Sequence, residues 1–172
     1  MQITTERLIL RPLALIHAPF ILELVNTEGW LRNIGDRKVH TIIEAEQYLE
    51  KNYIAHSRKY DYGFCAVHLK SDDTPIGTCG LMTRDSLPGT DIGFAFLPAF
   101  HGKGYALEAA IAVMEYAEET LQLDKVLAIT VEHNTPSRSL LEKLGLRFKE
   151  VIYLANDGEP LYLYEKSLQK ES

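Results

Sequence analysis

FAFLPAFHGKGYALEAA, residues 94–110, decides the reading of this chain. An apolar, strand-like run meets Pro98. A short loop with two glycines, Gly102 and Gly104, follows, and a long amphipathic helix begins at once. A strand-to-helix junction of this kind aims unpaired backbone N–H groups at whatever sits above the loop. Those donors and the positive end of the helix dipole suit an anion, above all a phosphate. Glycine lets a phosphate approach the backbone with no Cβ in the way. The competing reading is a tight turn in which the glycines only relieve a steric problem. The spacing excludes two familiar phosphate loops. Leu107 stands where the dinucleotide fingerprint needs its third glycine. No Gly-Lys-Ser/Thr closes the run as a Walker loop would.

The rest of the chain narrows the class. Its 172 residues suit one domain, residues 1–172, and 46% hydrophobic with 24% charged residues indicates a globular protein with a real core. No apolar run approaches the roughly 20 residues of a membrane span. The opening MQITTER lacks the basic stretch and apolar core of a signal peptide, so a cytoplasmic location is expected. A net charge of −6 argues against a nucleic-acid surface and is compatible with a cationic acceptor such as an amine. Cys65 and Cys79 fall on what read as neighbouring antiparallel strands. With no C-x-x-C spacing and scattered histidines they read as buried thiols, and no metal is expected.

Along the chain, 5–13 reads as a strand ended by Pro12, and 16–26 has helical apolar spacing. Residues 27–39 read as loop or short helix. Thr41 with Glu44 forms a capping box that opens a helix to about residue 56. Strands are expected at 64–69, 76–83 and 91–97, then a helix over 103–121 with Ala106, Ala110, Val113, Met114 and Ala117 on one face. A strand at 125–131 precedes a helix over 137–144, with Asn134 as N-cap and Gly145 as stop. Two closing strands, 146–154 and 161–167, are joined by a turn at Asn156-Asp157-Gly158. The order β-α-α-β-β-β-α-β-α-β-β implies an α/β (α+β) fold. Its central sheet is mixed and mostly antiparallel, of about seven strands, with helices on both faces.

The loop resembles the acetyl-CoA loop of the GNAT acetyltransferases, Gln/Arg-x-x-Gly-x-Gly/Ala. His101, Gly104 and Ala106 fall on its defined positions, with His101 in place of Gln or Arg. A second stretch, ITVEHNTPSRSLLEKLGL at residues 129–146, resembles the other signature of that family. Asn134, Ser137, Lys143 and Gly145 match, and Leu146 stands where Phe is usual. The opening TERLILRP, from Thr5, resembles the branch that acetylates the N-termini of ribosomal proteins.

This resemblance implies a GNAT acyl-CoA N-acyltransferase fold and acetyl-CoA as co-substrate. The pyrophosphate would lie on the backbone of His101, Gly102, Lys103, Gly104, Tyr105 and Ala106. The pantetheine arm would enter a gap between two splayed strands and bond the backbone of Phe96 and Leu97. Asn134 would hold that arm by its side-chain amide; the alternative is a plain N-cap. Ser137 would donate to the thioester sulfur; the alternative is a first-turn serine bonded to backbone. Leu141 occupies the position of the tyrosine acid that many members carry.

For the base, Asp91 is the first candidate, acting through water, with Glu132 and Glu159 as runners-up and a solvated surface role as the alternative for each. Trp30, Arg32, Asp36 and Arg37 are the residues of 27–39 that would shape an acceptor pocket, unless Trp30 is a core anchor. The expected activity is transfer of acetyl from acetyl-CoA to a primary amine, the α-amine of a protein or peptide N-terminus being favoured. The alternatives are a small amine such as a polyamine or drug, a non-catalytic acyl-CoA binder, and a nucleotide-binding regulator. No nucleic-acid or membrane partner is expected, and the chain would act as a monomer or homodimer.

Overall fold

A computed structural model describes residues 1–154 and 158–169. Two of the three residues of the expected Asn156-Asp157-Gly158 turn lie outside them. The strands are β1 (Ile3–Thr4), β2 (Leu8–Pro12), β3 (Phe64–Leu69), β4 (Pro75–Thr83), β5 (Thr90–Phe96), β6 (Lys125–Thr130), β7 (Arg147–Ile152) and β8 (Leu161–Ser167). They form one sheet of eight strands in the order β1-β2-β3-β4-β5-β6-β8-β7. Every neighbour is antiparallel except β5 and β6. The eighth strand is the two-residue β1, too short to show as an alternation. The strand expected over 5–13 is present as the shorter β2, paired in a hairpin with the preceding β1, and its Leu8 and Leu10 are fully buried on one face.

Helices cover both faces. Helix α5 (Tyr105–Glu115) crosses one face and buries Ala109, Ala110, Val113 and Met114 against Leu8, Leu10, Val67 and Leu81. Its alanines permit close approach to the sheet, and the helix continues as a wide π-type turn, Tyr116–Thr120. Helix α6 (Thr135–Lys143) adds Leu141 to this core.

The other face carries α1 (Ala18–Leu24), α2 (Glu28–Asn33), α3 (Ile42–Leu49) and α4 (Ala55–Tyr60). Phe20, Leu24, Trp30 and Leu49 pack there on Ala66 and Leu97. Helix α1 starts later than the apolar spacing suggests, and Ile16 is exposed. Pro19 occupies the first turn, where its missing N–H costs nothing, but it cannot sit further inside a helix. Thr41 caps α3 by accepting from the Glu44 N–H at 3.1 Å. Cys65 and Cys79 face each other across β3 and β4 as free, buried thiols. Burial pushes the Cys65 thiol up to about 12, so both residues act as small apolar groups. No helix among the described residues is long and apolar enough to cross a membrane.

Candidate active site

The glycine loop stands at the C-terminal end of β5, where a short turn, Pro98–Phe100, leads through residues 101–104 into α5. Gly102 and Gly104 have φ of +73° and +82°, left-handed values that few other residues adopt. Gly104 is the N-cap of α5 and supplies no side-chain acceptor, so the helix's first amides stay open. Bonding begins with the Glu108 N–H to the Gly104 carbonyl at 3.0 Å. A Cβ at Gly102 would meet nothing, and one at Gly104 only the Arg7 guanidinium at 3.3 Å. An open backbone surface at a helix N-terminus is a cradle that fits a pyrophosphate.

His101, in the place of Gln or Arg, points its imidazole back at the strand. Its Nε2 lies 2.8 Å from the Phe96 carbonyl, and because a carbonyl only accepts, Nε2 carries the proton. The side chain thus ties loop to strand. Lys103 holds its Nζ 5.9 Å over the Phe100 ring, and its carbonyl accepts from Arg7 Nη1 at 3.0 Å. Arg7 is a residue that spacing alone does not single out. Its guanidinium lies 4.4 Å above the Tyr105 ring and bonds Glu108 Oε1 at 2.8 Å. Glu108 also accepts from the Thr5 hydroxyl and the Arg7 backbone N–H. The N-terminal hairpin therefore buttresses the loop and the first turn of α5.

Strands β5 and β6 share one ladder pair, Asp91 with Leu127. Beyond it β5 runs to Phe96 and β6 to Thr130 with no further pairing, so the two splay. On the other edge of β5, the Leu97 N–H donates to the Ile76 carbonyl at 2.9 Å. Phe96 and Gly77 are therefore a pair that exchanges no bonds, and the N–H and C=O of Phe96 face the gap, as do those of Phe94. Of the two residues expected to bond a pantetheine arm, Phe96 has its N–H open to the gap. The Leu97 N–H is held by Ile76, and its carbonyl accepts from the Phe100 N–H at 3.0 Å.

A cleft of 560 Å³ passes through the splay and reaches both faces of the sheet. Asn134, Ser137 and Leu141 line it from α6. The Asn134 side-chain oxygen accepts from the Ser137 N–H at 3.3 Å, which makes it the N-cap of α6. Its amide NH2 has no partner among the described residues, so the cap leaves those donors open. The Ser137 hydroxyl likewise bonds no described residue.

Asp91 lies in the cleft wall, 2% exposed. Arg84 grips it with two bonds of 3.0 Å, Nε to Oδ1 and Nη2 to Oδ2. Burial nevertheless outweighs the guanidinium and raises the carboxyl to about 6. A carboxylate has about four lone-pair sites, so the two taken by Arg84 leave room for a water. Glu159 also lines the cleft; Glu132 is exposed beside it and does not. Among the described residues no group of three His, Cys, Asp or Glu side chains could hold a metal ion.

The far wall comes from the helical face. Trp30 and Arg37 line it, whereas Arg32 and Asp36 are exposed and turned elsewhere. Trp30 is both a core residue, 7% exposed, and a wall residue. Asn33, Tyr48 and Tyr53 join it. The tyrosine hydroxyls lie 3.1 Å apart, and burial raises the Tyr53 phenol well above its ordinary range. Arg84, Asn33 and the tyrosines carry no pattern in the sequence.

The family model for the acetyltransferase (GNAT) domain matches residues 7–147. The uncharacterized N-acetyltransferase YnaD of Bacillus subtilis (strain 168) is 29% identical over 168 residues, 95% of each chain. Among solved structures, RimL, a ribosomal L7/L12 α-N-protein acetyltransferase in complex with coenzyme A, superposes with a TM-score of 0.81 at 17% identity, covering 97% of this chain and 98% of its own. A spermidine N-acetyltransferase SpeG chimera from Vibrio cholerae and hSSAT gives 0.76 at 17%, covering 95% and 96%. At these identities the two structures share the fold.

Proposed function

Because the chain belongs to the GNAT acetyltransferase family and is an acetyl-transferring enzyme, we propose that it moves acetyl from acetyl-CoA to the α-amine of a protein or peptide N-terminus. The observation that carries this is the single cleft through the β5–β6 splay. A serine hydroxyl and an amide NH2, unpaired among the described residues, stand on one side of it, and a buried carboxylate and a helical wall on the other. Acetyl-CoA supplies the thioester whose carbonyl carbon the amine attacks.

The chain's own residues provide the rest. Loop amides of residues 102–106 hold the pyrophosphate at the start of α5, the His101 N–H being taken by the Pro98 carbonyl at 3.1 Å. The Phe96 N–H and the Asn134 NH2 hold the pantetheine arm in the gap. The amine must arrive neutral. An α-amine titrates near 7.7–8.0 and a lysine near 10.4, a difference of roughly 3–4 kcal/mol in deprotonation at 1.36 kcal/mol per unit. Asp91 takes the proton through a water as the C–N bond forms. Ser137 donates its hydroxyl proton toward sulfur as the C–S bond breaks, where charge is greatest in the transition state.

A polyamine acceptor is the second reading, supported by the spermidine acetyltransferase fold likeness. The wall opposes it: Arg37 forms no ion pair among the described residues, and the Asp91 charge is already matched by Arg84. Among the described residues lining the cleft, Glu159 is the one carboxylate that no described cation pairs. The test offers one peptide in two forms, α-amine free with lysine blocked and the reverse, alongside spermidine. Acetylation confined to the lysine form or to spermidine defeats the α-amine reading.

A further inference from the structure

Two buried polar atoms on residues of the cleft wall have no hydrogen-bond partner among the described residues: Trp30 Nε1, a donor, and Asn33 Oδ1, an acceptor, both covered by their neighbours. Both residues line the cleft. They stand three apart on α2, which brings them to one side of the helix. Native proteins seldom leave such groups unpaired, and when they do the cause is usually a ligand, a water or a catalytic role. The helix backbone does not need them. Thr27 caps α2 through the Trp30 N–H at 3.3 Å, and the Trp30 carbonyl accepts from the Ile34 and Gly35 N–H groups at 2.8 and 3.0 Å. The two atoms are thus an unpaired donor and acceptor just beneath the acceptor wall, reached by a ligand once the side chains over them turn aside.

We propose that α2 reads the second residue of a peptide acceptor, Asn33 Oδ1 accepting its N–H and Trp30 Nε1 donating to its C=O. This rests on the α-amine reading above. In an extended chain the N–H and C=O of one residue point to the same side, so a single residue offers one donor and one acceptor along one edge. A protonated polyamine offers donors alone and leaves Trp30 Nε1 unpaired. A bare carboxylate offers acceptors alone and leaves Asn33 Oδ1 unpaired. The second residue is the one nearest the reacting amine that carries an amide N–H.

The test measures kcat/KM for three peptides with a free α-amine: the normal amide, one with an ester oxygen replacing the residue-2 N–H, and one with the ester at residue 3. The residue-2 ester should lower kcat/KM about tenfold in the wild-type chain, the loss of one buried hydrogen bond, and the residue-3 ester should not. In Asn33→Leu the amide peptide should start about tenfold lower, with no further loss from the residue-2 ester. Trp30→Phe keeps the ring packing, loses the donor, and should raise KM for all three peptides while the ester ratio persists. Equal rates for amide and residue-2 ester in the wild type, or a ratio undiminished in Asn33→Leu that still shows an acetyl-CoA melting shift, overturn the proposal while peptide acetylation leaves the α-amine reading standing. Acetylation of spermidine with no peptide turnover overturns both. If Asn33→Leu fails to fold, the wild-type ester pair alone decides.

Discussion

In the proposed mechanism Ser137 and Asp91 divide the chemistry between two sides of one cleft, and each can be tested by a single atom. Ser137 donates its backbone N–H to Asn134 and keeps its hydroxyl for the site. Ser137→Ala should therefore lower kcat by about 10- to 100-fold with little change in the acetyl-CoA-induced melting shift, since the bond strengthens only as charge grows on sulfur. An unchanged kcat removes Ser137 from the mechanism. Asp91, raised to about 6 by burial against the pull of Arg84, is ionised at neutral pH yet basic enough to accept a proton. The kcat/KM profile should fall on the acid side near pH 6, and Asp91→Asn should abolish that limb along with most of the rate. Persistence of the limb in the variant would transfer the base role to Glu159. His101 spends its proton on the Phe96 carbonyl. His101→Ala should weaken acetyl-CoA only a few-fold, because the backbone cradle remains.

At the scale of elements, the loop and the hairpin beneath it form one unit. Gly104 is left-handed at φ +82°, and a branched side chain there is strained and crowds Arg7 at 3.3 Å. Gly104→Val should remove the acetyl-CoA melting shift, which otherwise grows as RT ln(1+[L]/Kd). Arg7→Ala should reduce it by a smaller amount, because the Arg7–Glu108 bonds position the first turn of α5 without carrying the cradle's donors. A full shift in Gly104→Val would refute the phosphate cradle.

This unit also marks the limit of what the chain discloses as a string of residues. Local grammar located the Gly-loop, the α5 face, the Thr41 cap and the Asn134 cap, because glycine freedom, 3.6-residue periodicity and capping act within a few positions. Arg7 with Glu108, 101 residues apart, and Arg84 with Asp91 require the packed sheet. So do Trp30 Nε1 and Asn33 Oδ1, whose lack of partners is a property of the whole face. The splay was expected from family resemblance alone. No residue pattern announces that a parallel pair will stop after one rung.

For the whole molecule, two buried groups set opposing acid responses. A hydrogen-bond chain ties the start of α1 to β3: the Ala14 N–H donates to His17 Nδ1 at 2.9 Å, which places the His17 proton on Nε2. That proton points at His68 Nε2, 3.3 Å away, and His68 Nδ1 donates to the Asp73 carbonyl at 3.1 Å. Burial first, then His68 and Arg11, lower the His17 imidazole below its ordinary 6.5. As pH falls below about 6.5 the unfolded chain takes up a proton that folded His17 refuses, so stability is lost. Asp91 acts the other way. Its folded carboxyl, at about 6, holds a proton that the unfolded chain releases down to 3.8, so stability is gained as pH falls through that window and lost as it rises. The two contributions oppose one another as pH falls below about 6. His56, Asp73, Glu108 and Glu165 are also lowered and respond alike in every variant, so melting temperature should fall more steeply toward acid in Asp91→Asn than in the wild type, and less steeply in His17→Asn. Identical slopes for all three chains would show that neither group titrates differently in the folded state, and would withdraw the buried carboxyl as the source of the acid limb in activity.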